Sequence, residues 1–299
     1  MKQKKYSGVV VPMVTPFTEK GEVDLKSVEN LTEHVVSNNC HPFILGTTGE
    51  GLSTSLKMKK DYIRQAVEVN RGRGTLYAGI ASMCFDDAVE MSKLFFDSGA
   101  DVVVAHLPSY YKISDSSMLK YFTQLADRVN GPMMIYNISS TTHMSVPIKV
   151  IEELSQHPNI VGLKDSEHDV ERIITLLSKF KDNSEFSYLL GWAAQSVNFL
   201  SNGGDGIVPS TGNAYPQLYY KLYRSVLEND METANKMQEI TNDISAVYQQ
   251  GKLLSESLPA LKVILKTLGI CESYAIAPCF ELSSEQELEI IEKLKKLEI

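Results

Sequence analysis

The chain has few cysteines and no long apolar run. Its four cysteines, Cys40, Cys84, Cys271 and Cys279, are scattered over 299 residues and form no CxxC pair. That pattern argues against a thiol-bound zinc site and points to a reducing compartment, the cytoplasm. No stretch approaches the roughly 18 consecutive apolar residues of a membrane span. The opening "MKQKKYSGVV" is basic but lacks the apolar core of a signal peptide. Positive charge is not in excess either: 29 Lys+Arg against 37 Asp+Glu give a net charge of −8. Nucleic acid and anionic membrane are therefore poor choices of main partner. His41, His106, His143 and His168 show no ligand spacing, and no His/Asp/Glu cluster suits a metal. Low-complexity linkers are absent, and nothing repeats beyond the strand–helix unit described next.

What is present is a regular alternation. Short apolar runs, "SGVVVPMVT", "PFILG", "TLYAGIA", "DVVVAHL", "PMMIYN", "NIVGLK", "FSYLLG" and "GDGIVPS", read as eight strands. Amphipathic stretches lie between them. In "DLKSVENLTEHVVSN", Leu25, Val28, Leu31, Val35 and Val36 recur at steps of three to four, which predicts a helix. "SLKMKKDYIRQAVEVN", "FDDAVEMSKLFFDSG" and "SSMLKYFTQLADRV" follow the same rule, and Gly99 suits a left-handed helix end. Strands separated by helices must run parallel. Eight such units predict an α/β fold of the (β/α)8, or TIM, barrel type. An open doubly wound sheet is the rival, but the first strand runs into "TPFTEKGEVD" with no glycine-rich phosphate turn. After Pro209 the sequence turns helical to its end. The expected organisation is a barrel over residues 1–213 that carries the active site. Barrel-closing and C-terminal helices over 214–299 pack on it.

In such a barrel the site lies at the C-terminal ends of the strands. Reading those positions collects Thr47 and Thr48 after strand two, and Tyr110 and Tyr111 after strand four. Strands five and six end at Tyr136 and Lys164, strand seven ends at Gly191, and strand eight leads to Ser210 and Thr211. A lysine ending a buried strand is costly unless something uses or pairs it. Desolvation lowers a lysine's pKa, so the neutral amine can attack a ketone and form a Schiff base. A nearby tyrosine can move the protons of that reaction. The "GTTGEG" turn offers backbone N–H groups and two hydroxyls to a carboxylate. A 2-oxo acid such as pyruvate has that ketone beside that carboxylate. Each residue also has a plain reading: a surface or ion-paired lysine, a packed phenol, a tight turn capping a helix, an interface Tyr-Tyr pair. What favours chemistry is their convergence from different strands on one face.

These residues resemble the dihydrodipicolinate synthase / N-acetylneuraminate lyase family of class I pyruvate aldolases. The resemblance covers nearly the whole chain. It runs through "VTPF" and the following "GEVD", then "GTTGEG", "PSYY", "YN", "GLKD" and "GGDGIVPSTGN". It implies that Lys164 is the Schiff-base lysine and that Tyr136 relays protons to the imine and the acceptor oxygen. Thr47 is implied to link that phenol to a second tyrosine, and Thr48 to bind the carboxylate of the 2-oxo acid. Tyr110, preferred to Tyr111 on spacing, is implied to be the second tyrosine, reaching into a neighbouring subunit's site. Val208 is implied to line the pyruvyl group. A homotetramer built as a dimer of dimers is implied, with no metal and no organic cofactor.

Departures from the family pattern narrow the substrate. Dihydrodipicolinate synthases carry an arginine five residues after the catalytic tyrosine; here that place is Thr141. A threonine cannot replace a bidentate guanidinium. Sialic acid lyases carry acidic residues just after the strand-seven glycine, where this chain has Ala193 and Ala194, beside Trp192. His143 stands where glycine is common, which suggests a reshaped loop. The leading expectation is a lyase that cleaves or forms a 4-hydroxy-2-oxo acid, such as a 2-oxo-3-deoxy sugar acid, with pyruvate and an aldehyde as small-molecule partners. The alternatives are dihydrodipicolinate synthase, a dehydratase using the same imine, and a non-catalytic 2-oxo-acid sensor. The set of Lys164, Tyr136 and Thr47 counts against a sensor, which needs no imine.

Overall fold

A computed structural model describes residues 4–297. Its strands are β1 (Gly8–Pro12), β2 (His41–Ile44), β3 (Tyr77–Gly79), β4 (Val102–Ala105), β5 (Met133–Asn137), β6 (Ile160–Asp165), β7 (Ser187–Leu190) and β8 (Gly206–Ile207). Each pairs in parallel with the next, and β8 returns to β1 through Gly8↔Gly206 and Val9↔Ile207. The eight strands form a closed barrel, so no strand edge is left open. Both faces of every strand are covered, which is why the strand sequences are near-continuous apolar runs.

Helices α1 (Leu25–Ser37), α2 (Leu56–Asn70), α3 (Phe85–Ser98) and α4 (Asp115–Arg128) lie between the first five strands. α1 starts where the Asp24 side chain accepts from the N–H groups of Lys26 and Ser27, and it buries Val28, Leu31, Val35 and Val36. α3 stops at Gly99, which takes φ 108°. The next connections carry a short turn of helix, α5 (Ser139–Thr142), then α6 (Ile148–Leu154), α7 (Val170–Phe180) and α8 (Ser196–Ser201). Helix α9 (Pro216–Leu227) follows β8 and contacts β1, completing the outer ring. The C-terminal extension is α10 (Met231–Gln249), α11 (Leu254–Thr267) and α12 (Ser284–Lys295). No described helix is long and apolar enough to cross a membrane.

Alternation along the strands separates two cores. Val10, Phe43, Tyr77, Val102, Val104, Met134, Tyr136, Leu189 and Val208 point into the barrel and form one cluster. Val9, Val11, Ile44, Val103, Ile135, Leu163 and Ile207 point outward against the helices. Lys164 shares the inward face with Gly162, whereas its neighbour Asp165 faces outward. A single strand thus sends its last two polar side chains to opposite sides.

Candidate active site

Register places the key side chains in one layer. β5 and β6 pair Tyr136 with Lys164 and Asn137 with Asp165. Lys164 is 5% exposed, and no described carboxylate pairs with it. Its Nζ lies 3.8 Å from the centre of the Tyr136 ring and 4.9 Å from that of Phe43. Burial pushes its pKa down, partly opposed by the Tyr136 oxygen. A lysine in these surroundings holds its amine closer to the neutral, nucleophilic form. The Thr47 hydroxyl donates to the Tyr136 phenol oxygen at 3.5 Å, the long limit for such a bond.

Thr47 is held by the "GTTGEG" turn. Glu50 N–H donates to the Thr47 carbonyl and Gly51 N–H to the Gly46 carbonyl, both at 3.1 Å. Glycine is required here by close approach. A Cβ on Gly49 would come within 2.8 Å of the Met13 carbonyl oxygen, and one on Gly51 would overlap the Leu45 carbonyl. Glu50 anchors the turn to the C-terminal extension. Its Oε1 accepts from Lys262 Nζ on α11 at 2.6 Å, and both side chains are buried. The same ammonium donates to the Tyr274 carbonyl and lies 4.2 Å from the centre of the Phe17 ring.

A polar lattice behind the barrel wall fixes the ends of β5 and β6. Asn137 Nδ2 donates to Asp165 Oδ1 at 2.9 Å and to Glu167 Oε2 at 2.8 Å. Arg172 Nε, from α7, donates to Asp165 Oδ2 at 2.7 Å. Ser145 Oγ donates to Glu167 Oε2 at 2.6 Å, and Asn137 Oδ1 accepts from the Val146 N–H at 2.9 Å. These bonds hold the residues that follow Tyr136 and Lys164, and so fix where those two side chains start.

A cavity of about 160 Å³ opens onto this layer. Thr47, Tyr136 and Thr141 line it, with Phe43, Val104 and His106. Thr48 and Ser210 line an adjoining recess with Tyr248 and Gln249, and Leu258 of α11 lines both spaces. Thr48 makes no hydrogen bond to the described chain, whereas the Ser210 hydroxyl is bonded to Tyr248 at 2.7 Å. Val208 is buried inside the barrel. Gly191 follows β7, where a Cβ would overlap the Ser166 hydroxyl. Trp192 stacks on His168, with ring centres 4.5 Å apart. Tyr110 is 81% exposed, packs edge-on against Tyr111 at 4.8 Å, and stands outside the cavity. The structure therefore sets Tyr136, Thr47 and Thr141 on one cavity, with Lys164 against the ring of Tyr136. It sets Thr48 and Ser210 one recess away and leaves Tyr110 facing outward. His143, expected to reshape its loop, takes the left-handed conformation itself at φ 57°, the conformation a glycine would supply.

Sequence reading missed His106, Phe43 and the Glu50–Lys262 pair. Strand parity could have found the first, since His106 continues the inward series Val102, Val104. Nothing local signals Lys262, whose partner is 212 residues away. The four cysteines are free, and no group of His, Cys, Asp or Glu among the described residues is arranged to hold a metal ion.

Residues 5–297 match the family described as Dihydrodipicolinate synthetase family. The chain belongs to this family. It is 28% identical over 286 residues to a probable 2-dehydro-3-deoxy-D-pentonate aldolase, YjhH, of Escherichia coli, with 94% of each chain covered. It is 30% identical over 294 residues to the 4-hydroxy-tetrahydrodipicolinate synthase of Aquifex aeolicus, with 97% of each covered. A solved dihydrodipicolinate synthase from Bacteroides thetaiotaomicron superposes with TM-score 0.93 at 29% identity, covering 98% of this chain and 99% of that one. Family members are lyases or synthases that join a lysine to pyruvate as a Schiff base. The names among relatives divide between sugar-acid aldolase and synthase, so membership alone leaves the substrate open.

Proposed function

We infer that this chain is a class I aldolase that cleaves or forms a 4-hydroxy-2-oxo acid of the 2-oxo-3-deoxy sugar-acid type, with pyruvate as the imine-forming partner. One observation carries the reading: Lys164 is buried near the end of β6, with no carboxylate partner among the described residues, against the ring of Tyr136. In the condensing direction the neutral Lys164 amine adds to C2 of pyruvate. The carbinolamine loses water, and the imine loses a proton from C3 to become an enamine. The enamine carbon attacks the aldehyde, Tyr136 donates a proton to the new alkoxide, and water releases the product from Lys164. Thr47 orients the Tyr136 phenol, and Thr48 contributes to holding the carboxylate of the 2-oxo acid. Cleavage is the same sequence in reverse.

The synthase reading draws support from the names of relatives such as the Aquifex aeolicus enzyme. Thr141 weighs against it. Thr141 lines the cavity where the resemblance places the arginine that meets the carboxylate of the aldehyde. Its hydroxyl donates, at 3.4 Å, to the Ile138 carbonyl of its own turn. A dehydratase would share the imine and differ only after it. The test is borohydride reduction in the presence of pyruvate, followed by peptide mass mapping. A pyruvate-derived adduct on Lys164 is expected. No adduct, or an adduct on another lysine, overturns the mechanism.

A further inference from the structure

His106 is the one histidine that lines the cavity, and it does so from the strand beside Tyr136. β4 and β5 pair Val104 with Met134 and Ala105 with Ile135. One step further along the same register His106 stands beside Tyr136, and Tyr136 is paired with Lys164. The three side chains therefore form a row across adjacent strands at the top of the barrel. The His106 ring meets the Tyr136 ring edge-on, with centres 6.0 Å apart. His106 is 8% exposed.

The tautomer is fixed by the backbone. Nδ1 lies 2.8 Å from the Leu107 carbonyl oxygen. A carbonyl only accepts, so Nδ1 carries the proton and Nε2 carries a lone pair. Burial pushes the ring's pKa down, opposed in part by the bond to the Leu107 carbonyl, and this favours the neutral imidazole. No described side chain donates to Nε2. A neutral acceptor in a cavity wall that includes Phe43 and Val104 discriminates by hydrogen-bond sense. A hydroxyl can donate to it. A carboxylate, itself only an acceptor, meets lone pair against lone pair. An alkyl group leaves it unsatisfied, which costs free energy in a buried site.

We propose that His106 is a specificity residue of the acceptor subsite, its Nε2 accepting a hydrogen bond from a hydroxyl of the aldehyde. The cavity then selects hydroxyaldehydes over alkyl aldehydes of the same size. This deepens the aldolase reading and rests on it. Glycolaldehyde and propanal make a matched pair, since one carries a hydroxyl where the other has a methyl group. Each is condensed with pyruvate, and the ratio of their kcat/KM values is compared for the wild-type chain, His106→Leu and His106→Gln. Borohydride trapping of pyruvate on Lys164 is run on every protein as a readout that needs no aldehyde.

The wild-type chain is expected to favour glycolaldehyde. His106→Leu is expected to lower the ratio by about tenfold, the weight of one hydrogen bond to a buried group. His106→Gln, whose amide oxygen can stand in for Nε2, is expected to restore most of it, with trapping intact throughout. An unchanged ratio in His106→Leu, with the adduct still formed, overturns the role of His106 and leaves the aldolase reading standing. An absent adduct in the wild-type chain overturns the aldolase reading, and this inference with it. Should His106→Leu fail to fold, the wild-type ratio decides: a value at or below one overturns the proposal.

Discussion

The Nζ of Lys164 lies 3.8 Å from the centre of the Tyr136 ring, and register pairs the two residues across β5 and β6. The phenol is held beside the amine by the strands themselves rather than by a mobile loop, which suits proton transfer at the imine. Tyr136→Phe removes one oxygen and should leave the fold intact. Its kcat/KM is expected to fall by about 10² to 10⁴, the usual weight of a positioned acid–base group. An unchanged value would mean that the phenol only packs.

Burying Lys164 weakens the fold in a pH-dependent way. Its native pKa lies below the 10.5 of a free lysine. Between the two values the unfolded chain binds a proton that the native chain lacks, so stability rises with pH across that window. The penalty is full below the native pKa and vanishes as pH climbs to the unfolded value. Lys164→Met is therefore expected to melt at a higher temperature than the wild type at neutral pH, with the gap narrowing as pH rises toward 10.5. Melting curves over pH test this. A variant that is less stable, or an advantage constant with pH, contradicts it.

The acceptor should not carry a carboxylate. Thr141 offers a hydroxyl already turned to the Ile138 carbonyl, and Lys112, the cation just past "PSYY", is exposed and outside the cavity. Losing a charge-assisted hydrogen bond costs roughly 1.5–3 kcal/mol, about tenfold to more than a hundredfold in rate. With pyruvate fixed, kcat/KM for glyceraldehyde is expected to exceed that for aspartate semialdehyde. A wide margin the other way would replace the aldolase reading with the synthase.

Tyr110 faces solvent in the single chain, as a residue serving a neighbouring subunit would. Tyr110→Phe and Lys164→Ala proteins, each weak alone, are expected to regain activity when their subunits are mixed and reassembled. Proven subunit exchange without recovery would confine Tyr110 to its own chain or exclude it.

Glu50 and Lys262 are joined at 2.6 Å with both side chains buried. Removing one partner leaves a buried group without its counterpart. Lys262→Met alone is expected to cost about 3–5 kcal/mol of unfolding free energy. The paired change Glu50→Gln with Lys262→Met should cost clearly less than the sum of the two single changes. Denaturant titration measures both, and strict additivity would show that the pair is not coupled.

The sequence by itself determined the barrel. Eight apolar runs separated by amphipathic stretches leave parallel pairing as the only way to satisfy every strand, and closure covers all edges. It also put Thr47, Tyr136 and Lys164 at strand ends on one face, because strand parity and strand ends are local properties that a barrel converts into one face. Only the tertiary structure decided the rest. Thr48 lines a recess beside the cavity, and Leu258, from a helix about two hundred residues further along the chain, lines both spaces. Glu50 and Lys262 meet across 212 residues, a distance over which no periodicity carries information. His106 was readable as an inward residue, but its role as an acceptor depends on the backbone folding the Leu107 carbonyl back onto Nδ1. Local pattern fixes which way a side chain faces; which groups it then meets is set by long-range packing, and the chemistry of this site turns on those encounters.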